Sequence, residues 1–309
     1  SINDLCTCDL DMDGNPDVSA TQSTGAAMMF FRNTSTPGSI SFATPTTVAI
    51  ATATNNTACG DLDGDGRPEV LVSRDGTRNE VWIFKNNSTT PGTISMGSPT
   101  ASTKLFLDVA QNSFRISIRD LNADGKPEVI VSNSTSATNN TIYVFVNNWT
   151  TKGTIAFNPV PIKLVVTGAA STYGMDTQDM DGDGKPEIIV NQFNNSGVFI
   201  MKNTSAAGTV TFAPPVKIDL TGSLNHLTTA DFNNDGKLDI AVTSNSGTTD
   251  NVFVLINQST SSTLAFATAI KLTAGDSPWG IDVSDIDGDK DADIVVANII
   301  NAFVSQTKE

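Results

Sequence analysis

The sequence predicts an all-β protein built from one repeated unit, on three observations. First, an acidic stretch recurs six times: "DLDMDGNPDVSAT" from Asp9, "DLDGDGRPEVLVS" from Asp61, "DLNADGKPEVIVS" from Asp120, "DMDGDGKPEIIVN" from Asp179, "DFNNDGKLDIAVT" from Asp231 and "DIDGDKDADIVVA" from Asp285. Second, the first aspartates are 52, 59, 59, 52 and 54 residues apart, a period that fits one supersecondary unit per copy. Third, the later five copies run into a short apolar, largely β-branched stretch without alternation, the pattern of a strand covered on both faces.

The elements of each unit follow in order. Position 2 of each motif is apolar (Leu10, Leu62, Leu121, Met180, Phe232, Ile286), which places the end of a first strand just before the acidic loop. Pro16, Pro68, Pro127 and Pro186 at position 8 stand where a second strand begins and a missing N–H does little harm. A third run follows ("AMMFFRN", "EVWIFKN", "TIYVFVN", "GVFIMKN", "NVFVLIN"), then a polar turn and a fourth run. Four antiparallel strands per unit, repeated six times, predict a β-propeller of four-stranded blades in one domain spanning 1–309. Its repeats cover about 1–52, 53–108, 109–168, 169–222, 223–275 and 276–309. A linear β-solenoid is the rival architecture, with coils that are normally shorter. The sixth repeat lacks a fourth run, which leaves open a closing strand or a seventh blade outside the chain.

Composition narrows the function. The net charge of −15 argues against nucleic acid and anionic membranes. No apolar run approaches a membrane span, and the first residues lack the pattern of a signal peptide. Of the 33 acidic residues, 22 sit at positions 1, 3, 5 or 9 of the motifs. Six bound divalent cations, carrying +12, would bring −15 to −3. In D-x-[DN]-x-D-G-x-x-[DE], side-chain oxygens at positions 1, 3 and 5, a backbone carbonyl at 7 and a carboxylate at 9 can wrap one hard cation. With neither His nor Cys inside the motifs, the donor set suits Ca²⁺ over zinc or copper. The candidate ligands are Asp9, Asp11, Asp13, Asn15 and Asp17; Asp61, Asp63, Asp65, Arg67 and Glu69; Asp120, Asn122, Asp124, Lys126 and Glu128. The later loops give Asp179, Asp181, Asp183, Lys185 and Glu187; Asp231, Asn233, Asp235, Lys237 and Asp239; Asp285, Asp287, Asp289, Asp291 and Asp293. Glycine at position 6 permits the sharp reversal in five loops. In the sixth, Lys290 takes that place, so its site is the least secure of the six. Asn122 and Asn233 keep an oxygen at position 3 but lower the charge.

The loop D-x-D-x-D-G-x-x-D followed by an apolar strand resembles the FG-GAP/VCBS repeats, the propeller of integrin α-subunit heads and many bacterial surface proteins. The resemblance runs from Asp9 to about Val304. It implies Ca²⁺ at positions 1, 3, 5 and 9 of each loop. For function it implies only a range: adhesins, lectin-like binders and accessory domains of polysaccharide-degrading enzymes.

Other signals are sparse. Cys6, Cys8 and Cys59 lie in first strands of the first two units, compatible with either one inter-blade disulfide through Cys59 or buried thiols. N-x-[ST] matches occur at Asn33, Asn148 and Asn203, in a chain whose composition produces such matches freely. There is one histidine, His226, and no nucleophile-elbow, zincin or phosphate-loop motif, so no active site is expected. The acidic loops and the third-to-fourth turns should share one face. The opposite face collects the variable loops of Ser73–Glu80, Ser132–Thr141 and Ser244–Asn251. Phe114, Tyr173 and Trp279, each six residues before position 1, and His226, five before, should approach this second face as a ligand-binding set or as inter-blade packing. Trp82 reads as core, Trp149 as exposed beside the acidic loops. The sequence thus predicts an extracellular or cell-surface calcium-binding recognition module for glycan or protein, part of a larger protein. The alternative is a non-catalytic accessory propeller of a secreted polysaccharide-active enzyme.

Overall fold

The computed structural model describes residues 2–22, 27–50, 54–74, 80–107, 112–134, 139–167, 171–193, 197–245, 250–299 and 302–305. Within them the chain is strand and turn, with one 3-10 turn at Ala101–Thr103. The first sheet contains β1 (Ile2–Cys8), β2 (Asp17–Gln22), β3 (Ala27–Phe31) and β4 (Thr46–Ala49), and the second β5 (Thr54–Gly60), β6 (Glu69–Arg74), β7 (Glu80–Phe84) and β8 (Lys104–Phe106). The third holds β9 (Asn112–Arg119), β10 (Glu128–Ser134), β11 (Asn139–Phe145) and β12 (Ile162–Thr167). The fourth holds β13 (Thr172–Gln178), β14 (Glu187–Gln192), β15 (Gly197–Met201) and β16 (Val216–Asp219), and the fifth β17 (Ser223–Ala230), β18 (Asp239–Asn245), β19 (Asn251–Leu255) and β20 (Ile270–Thr273). The sixth has three described strands, β21 (Pro278–Ser284), β22 (Asp293–Asn298) and β23 (Ala302–Ser305). Strand order within every sheet follows the chain, and each acidic loop joins a first strand to a second.

Two compact units emerge, one of 1–120, 125–135 and 141–164, the other of 121–124, 136–140 and 165–309. In the first, one core fills the space between the first two sheets (Leu10, Met28, Phe30, Ile50 against Val70, Val72, Phe84) and another lies between the second and third. The second unit repeats this arrangement, with Met180, Ile189, Val198 and Ile200 facing Leu224, Ile240, Val242 and Phe253, and a smaller core toward Ile294 and Val296. Sheets covered on both faces explain why the second strands read as unbroken apolar runs: β6 and β14 are buried along their whole length.

The fourth strands are largely exposed, and lysines guard them. Lys104, Lys217 and Lys271 sit directly across from Trp82, Phe199 and Phe253. Each ammonium lies 4.3–5.8 Å from the facing ring, a cross-strand cation–π pair. Arg74 lies 4.2 Å from the Trp82 ring as well, so this tryptophan, half-buried against the edge of the core, also sits between two cations.

Every first strand carries an irregularity that the sequence did not announce. Its register against the second strand slips at Ile2/Asp4, Thr54/Thr57, Thr172/Met175, Leu224/Leu227 and Pro278/Gly280, and opposite Val131/Asn133 in the third sheet. These bulges fall five and six residues before each acidic loop and re-aim the side chains there. Gly174 sits on one of them. A Cβ there would lie 2.1 Å from Asn191 Oδ1 and 2.8 Å from the Leu227 nitrogen, so β13 and β17 approach as only glycine allows.

Candidate functional site: acidic loops and an aromatic cluster

The acidic loops share one wiring. The position-1 carboxylate draws the loop around itself: Asp61 Oδ1 and Oδ2 accept from the N–H groups of Gly64 and Gly66, both at 2.8 Å, and Asp179 does the same for Gly182 and Gly184. The position-5 carboxylate accepts the N–H of position 7, at 2.8 Å for Asn15, 3.0 Å for Arg67 and 2.9 Å for Lys185, Lys237 and Asp291. Two residues per loop adopt positive φ. Position 6 does so as expected, and at Lys290, with φ 77, the backbone of the sixth loop is strained. Position 4 does so too, through Met12, Gly64, Ala123, Gly182, Asn234 and Gly288.

Position 9 plays a larger structural part than a ligand alone. Asp17, Glu69, Glu128, Glu187, Asp239 and Asp293 are all buried. One oxygen accepts the position-2 N–H: Leu10 to Asp17, Leu62 to Glu69, Met180 to Glu187, Phe232 to Asp239 and Ile286 to Asp293, at 2.8–3.0 Å. The other accepts the backbone N–H of an asparagine just past the third strand, Asn33, Asn86, Asn203 or Asn257.

That asparagine is a structural residue that sequence reasoning missed. Asn86 Nδ2 donates to the Leu10 carbonyl of the preceding repeat at 2.9 Å and to Pro68 O of its own at 3.2 Å, while its Oδ1 accepts from Ser88 N. Asn147 reaches Leu62 O and Pro127 O; Asn203 reaches Leu121 O and Pro186 O; Asn257 reaches Met180 O and Leu238 O. The signal was present in the runs "RN", "KN", "VN", "KN" and "IN" that end the third strands. It also accounts for two of the glycosylation matches: Asn203 is buried and Asn33 Nδ2 is held by Pro16 O, while Asn148 alone of the three is exposed.

The loops differ in what covers them. Asp11, Asp63, Asn122 and Asp181 at position 3 are buried, whereas Asn233 and Asp287 are exposed. Cover comes from the third-to-fourth turn of the following repeat. Gly153 N donates to Asp63 O at 3.0 Å, and the Trp149 ring lies where a Cβ on Gly64 would stand 2.5 Å from it. Trp149 is therefore half-buried against the second loop, not exposed as the sequence suggested. The sixth sheet has no fourth strand among the described residues, and the fifth and sixth loops lie open.

These residues fit an oxygen-ligated cation. Carboxylate oxygens of Asp9, Asp11 and Asp13 converge within 4.8 Å, as do those of Asp61, Asp63 and Glu69, of Asp179, Asp181 and Glu187, and of Asp285, Asp287 and Asp289. Asp11 Oδ2 is buried without any hydrogen-bond partner, an orphan that a cation would satisfy. A bound cation would supply charge compensation and extra oxygen ligation. Without one, burial, reinforced by neighbouring loop carboxylates, pushes Glu69 up to about 8 and Glu187 to about 7. Asp11, Asp17 and Asp239 are also raised, first by burial. A raised carboxylate pKa means the folded state binds more protons than the unfolded one between the two values. In chelator the melting temperature is therefore expected to fall as pH rises from about 4.5 to 8, by roughly 5 °C or more, and calcium is expected to flatten the slope. Thermal melts across that range check this; a chelated protein that gains stability over the same interval contradicts it.

On the bulges of the second unit, three of the four predicted aromatic positions come together. Trp279 stacks obliquely on Tyr173 and His226, with centroids 5.8 and 5.7 Å away, and Phe193 meets Tyr173 edge-on at 4.9 Å. Trp279 is 38% exposed, Tyr173 and His226 half-buried. Below them Thr229 donates to Asp176 Oδ2 at 2.7 Å, and Asp282 is exposed. The side chain of Phe114, and the tips of the variable loops around 75–79, 135–138 and 246–249, lie outside the described residues. In the first unit the same level carries polar groups instead: Asn56 Nδ2 and Thr57 N both donate to Asp4 Oδ2. There a disulfide joins Cys8 of β1 to Cys59 of β5, the bridged of the two alternatives, and Cys6 is a free thiol beside Ser19.

Four-stranded antiparallel sheets, each opened by an acidic interstrand loop, define a β-propeller with candidate metal loops. The model of the FG-GAP-like repeat matches residues 9–72, 61–131, 120–190, 179–242 and 231–296, and the chain belongs to that family. No curated protein matches it. Among solved structures it resembles Chaetomium thermophilum Sqt1 bound to the N-terminus of the ribosomal protein L10, at TM-score 0.57 and 13% identity over 96% of this chain and 70% of that one. It also resembles the exotype rhamnogalacturonan lyase YesX, at TM-score 0.50 and 15% identity over 98% of this chain and 55% of that one. The chain thus spans just over half the lyase, and at such identities both likenesses speak to fold alone.

Proposed function

We propose that the protein is an extracellular or cell-surface recognition module, non-catalytic, in which Ca²⁺ orders the acidic loops and the Tyr173–His226–Trp279 cluster receives a glycan or protein ligand. The observation that carries the reading is the convergence of these three side chains, from three different repeats, on bulged strand ends where they stay partly open to solvent. Ring faces that stay partly open to solvent offer the stacking surface that a sugar or a peptide side chain needs. The loop carboxylates are engaged by backbone N–H groups in every repeat, which suits them to structure and cation binding rather than to proton transfer.

The test is a binding screen of glycans and extracellular matrix proteins in calcium, followed by Tyr173→Ala and Trp279→Ala. Each substitution is expected to weaken the ligand found by about tenfold, the range of one lost aromatic contact, with a melting temperature within ~2 °C of wild type. A large loss of stability with unchanged affinity would instead make the cluster inter-repeat packing.

A further inference from the structure

In the second and fourth acidic loops a lysine just past the third strand reaches the position-3 aspartate. Lys85, which follows β7, places Nζ on Asp63 Oδ2 and on the Gly153 carbonyl of the next repeat's turn. Lys202, which follows β15, places Nζ on Asp181 Oδ2, 3.8 Å from Asp183 Oδ2 and 3.2 Å from the Ser261 carbonyl, again in the next repeat's turn. Both aspartates are buried, where an unpaired carboxylate is costly. The same strand-end position carries Val146 in the third repeat and Ile256 in the fifth, and these are the two repeats whose position 3 is Asn122 and Asn233. In these four repeats the pair is either an aspartate with a lysine or an amide with an aliphatic residue. The other two loops depart from this by sequence: the first pairs Asp11, whose Oδ2 has no hydrogen-bond partner, with Arg32, and the sixth pairs Asp287 with Gln306.

We infer that Lys85 and Lys202 act as built-in counter-ions, holding the second and fourth loops and the turns above them in place without metal and lowering the affinity of those two loops for divalent cations. The lysine ammonium is a compact point charge with three donors, enough to bridge one carboxylate oxygen and a carbonyl of the neighbouring repeat at once. Its unit charge beside Asp63 or Asp181 opposes the approach of a second, doubly charged ion. The loops then fall into a metal-independent pair and a set left to external cations, with the first loop the best equipped of that set. The inference rests on the reading of the loops as cation sites.

The test uses the full chain as wild type, Lys85→Met, Lys202→Met, the paired Asp63→Asn/Lys85→Met, and Lys271→Met as a control of equal charge change on an outer strand. In EDTA the single loop variants are expected to melt roughly 5 °C or more below wild type and the control within ~1 °C. The paired variant, which reproduces the chain's own amide-with-aliphatic solution, is expected to recover most of that loss. In calcium the single variants should gain more than wild type does, with titration calorimetry showing one site about tenfold tighter or better. A variant that folds only in calcium supports the inference equally. Single variants that melt with wild type in EDTA, or a paired variant no more stable than Lys85→Met, overturn it. If wild type gains from calcium and the variants gain no more, the lysines do not guard the loops and the calcium reading stands; if no chain gains, both fall.

Discussion

Excess EDTA is expected to lower the melting temperature by roughly 10 °C or more, with the first proteolytic cuts at the acidic loops. Taking a dissociation constant of ~0.1 mM per loop and ~1 mM free calcium, each bound ion adds RT ln 11, about 1.4 kcal/mol. The four loops other than the second and fourth would contribute about 6 kcal/mol and all six about 8, comparable with the net stability of an ordinary domain. The structural reason is local. Each loop brings three or four carboxylates to the end of a first strand, and in the first loop one buried oxygen has no hydrogen-bond partner. Magnesium should rescue poorly, because it demands a tighter octahedral shell and gives up its waters reluctantly. Differential scanning calorimetry in calcium, magnesium and EDTA reads all three outcomes. An unchanged melt in EDTA would mean that the packed sheets suffice.

Loss of a single strand-end asparagine is expected to be nearly as damaging. Asn86 is buried and makes three side-chain hydrogen bonds, one of them to the preceding repeat. Asn86→Ala leaves two carbonyls and a backbone N–H without their partner, a loss of about 3 kcal/mol or more and a drop of roughly 5 °C. Asn257→Ala should cost about the same, since it repeats the geometry. Asn148→Ala, at an exposed asparagine one residue past this position, should stay within ~0.5 kcal/mol. Urea unfolding of the three variants separates the cases. Equal stability of Asn86→Ala and Asn148→Ala would remove the clamp from the account.

The contrast between these two asparagines shows where sequence reasoning reached and where it stopped. The repeat, its four strands and the loop between the first two were legible because each follows from a period, a breaker or an unalternated apolar run. Tyr173, His226 and Trp279 were legible as a set because each stands five or six residues before the next loop. Their meeting was not, since it depends on the bulge in each first strand, and a bulge inserts one residue without changing composition or pattern. Position 9 read as a ligand, yet its burial and its two backbone N–H partners became visible only once the third strand was seen to end beside it. The Asn clamp hid inside glycosylation matches because one short pattern serves both purposes. Nothing in the runs "EVWIFKN" and "GVFIMKN" marks Lys85 and Lys202, and only the fold places them over Asp63 and Asp181. Ile286 is apolar like Leu10 and Leu62, but it is 49% exposed, and no following turn covers the sixth loop among the described residues.

The central claim is that the acidic loops hold divalent cations, and direct counting tests it best. Equilibrium dialysis of the chelator-stripped full chain against calcium, at physiological ionic strength, should show saturable uptake of about four ions per chain below ~1 mM, with weaker binding beyond them. Uptake of less than one ion per chain at that concentration would contradict the account and leave the six clusters as hydrogen-bonded turns alone.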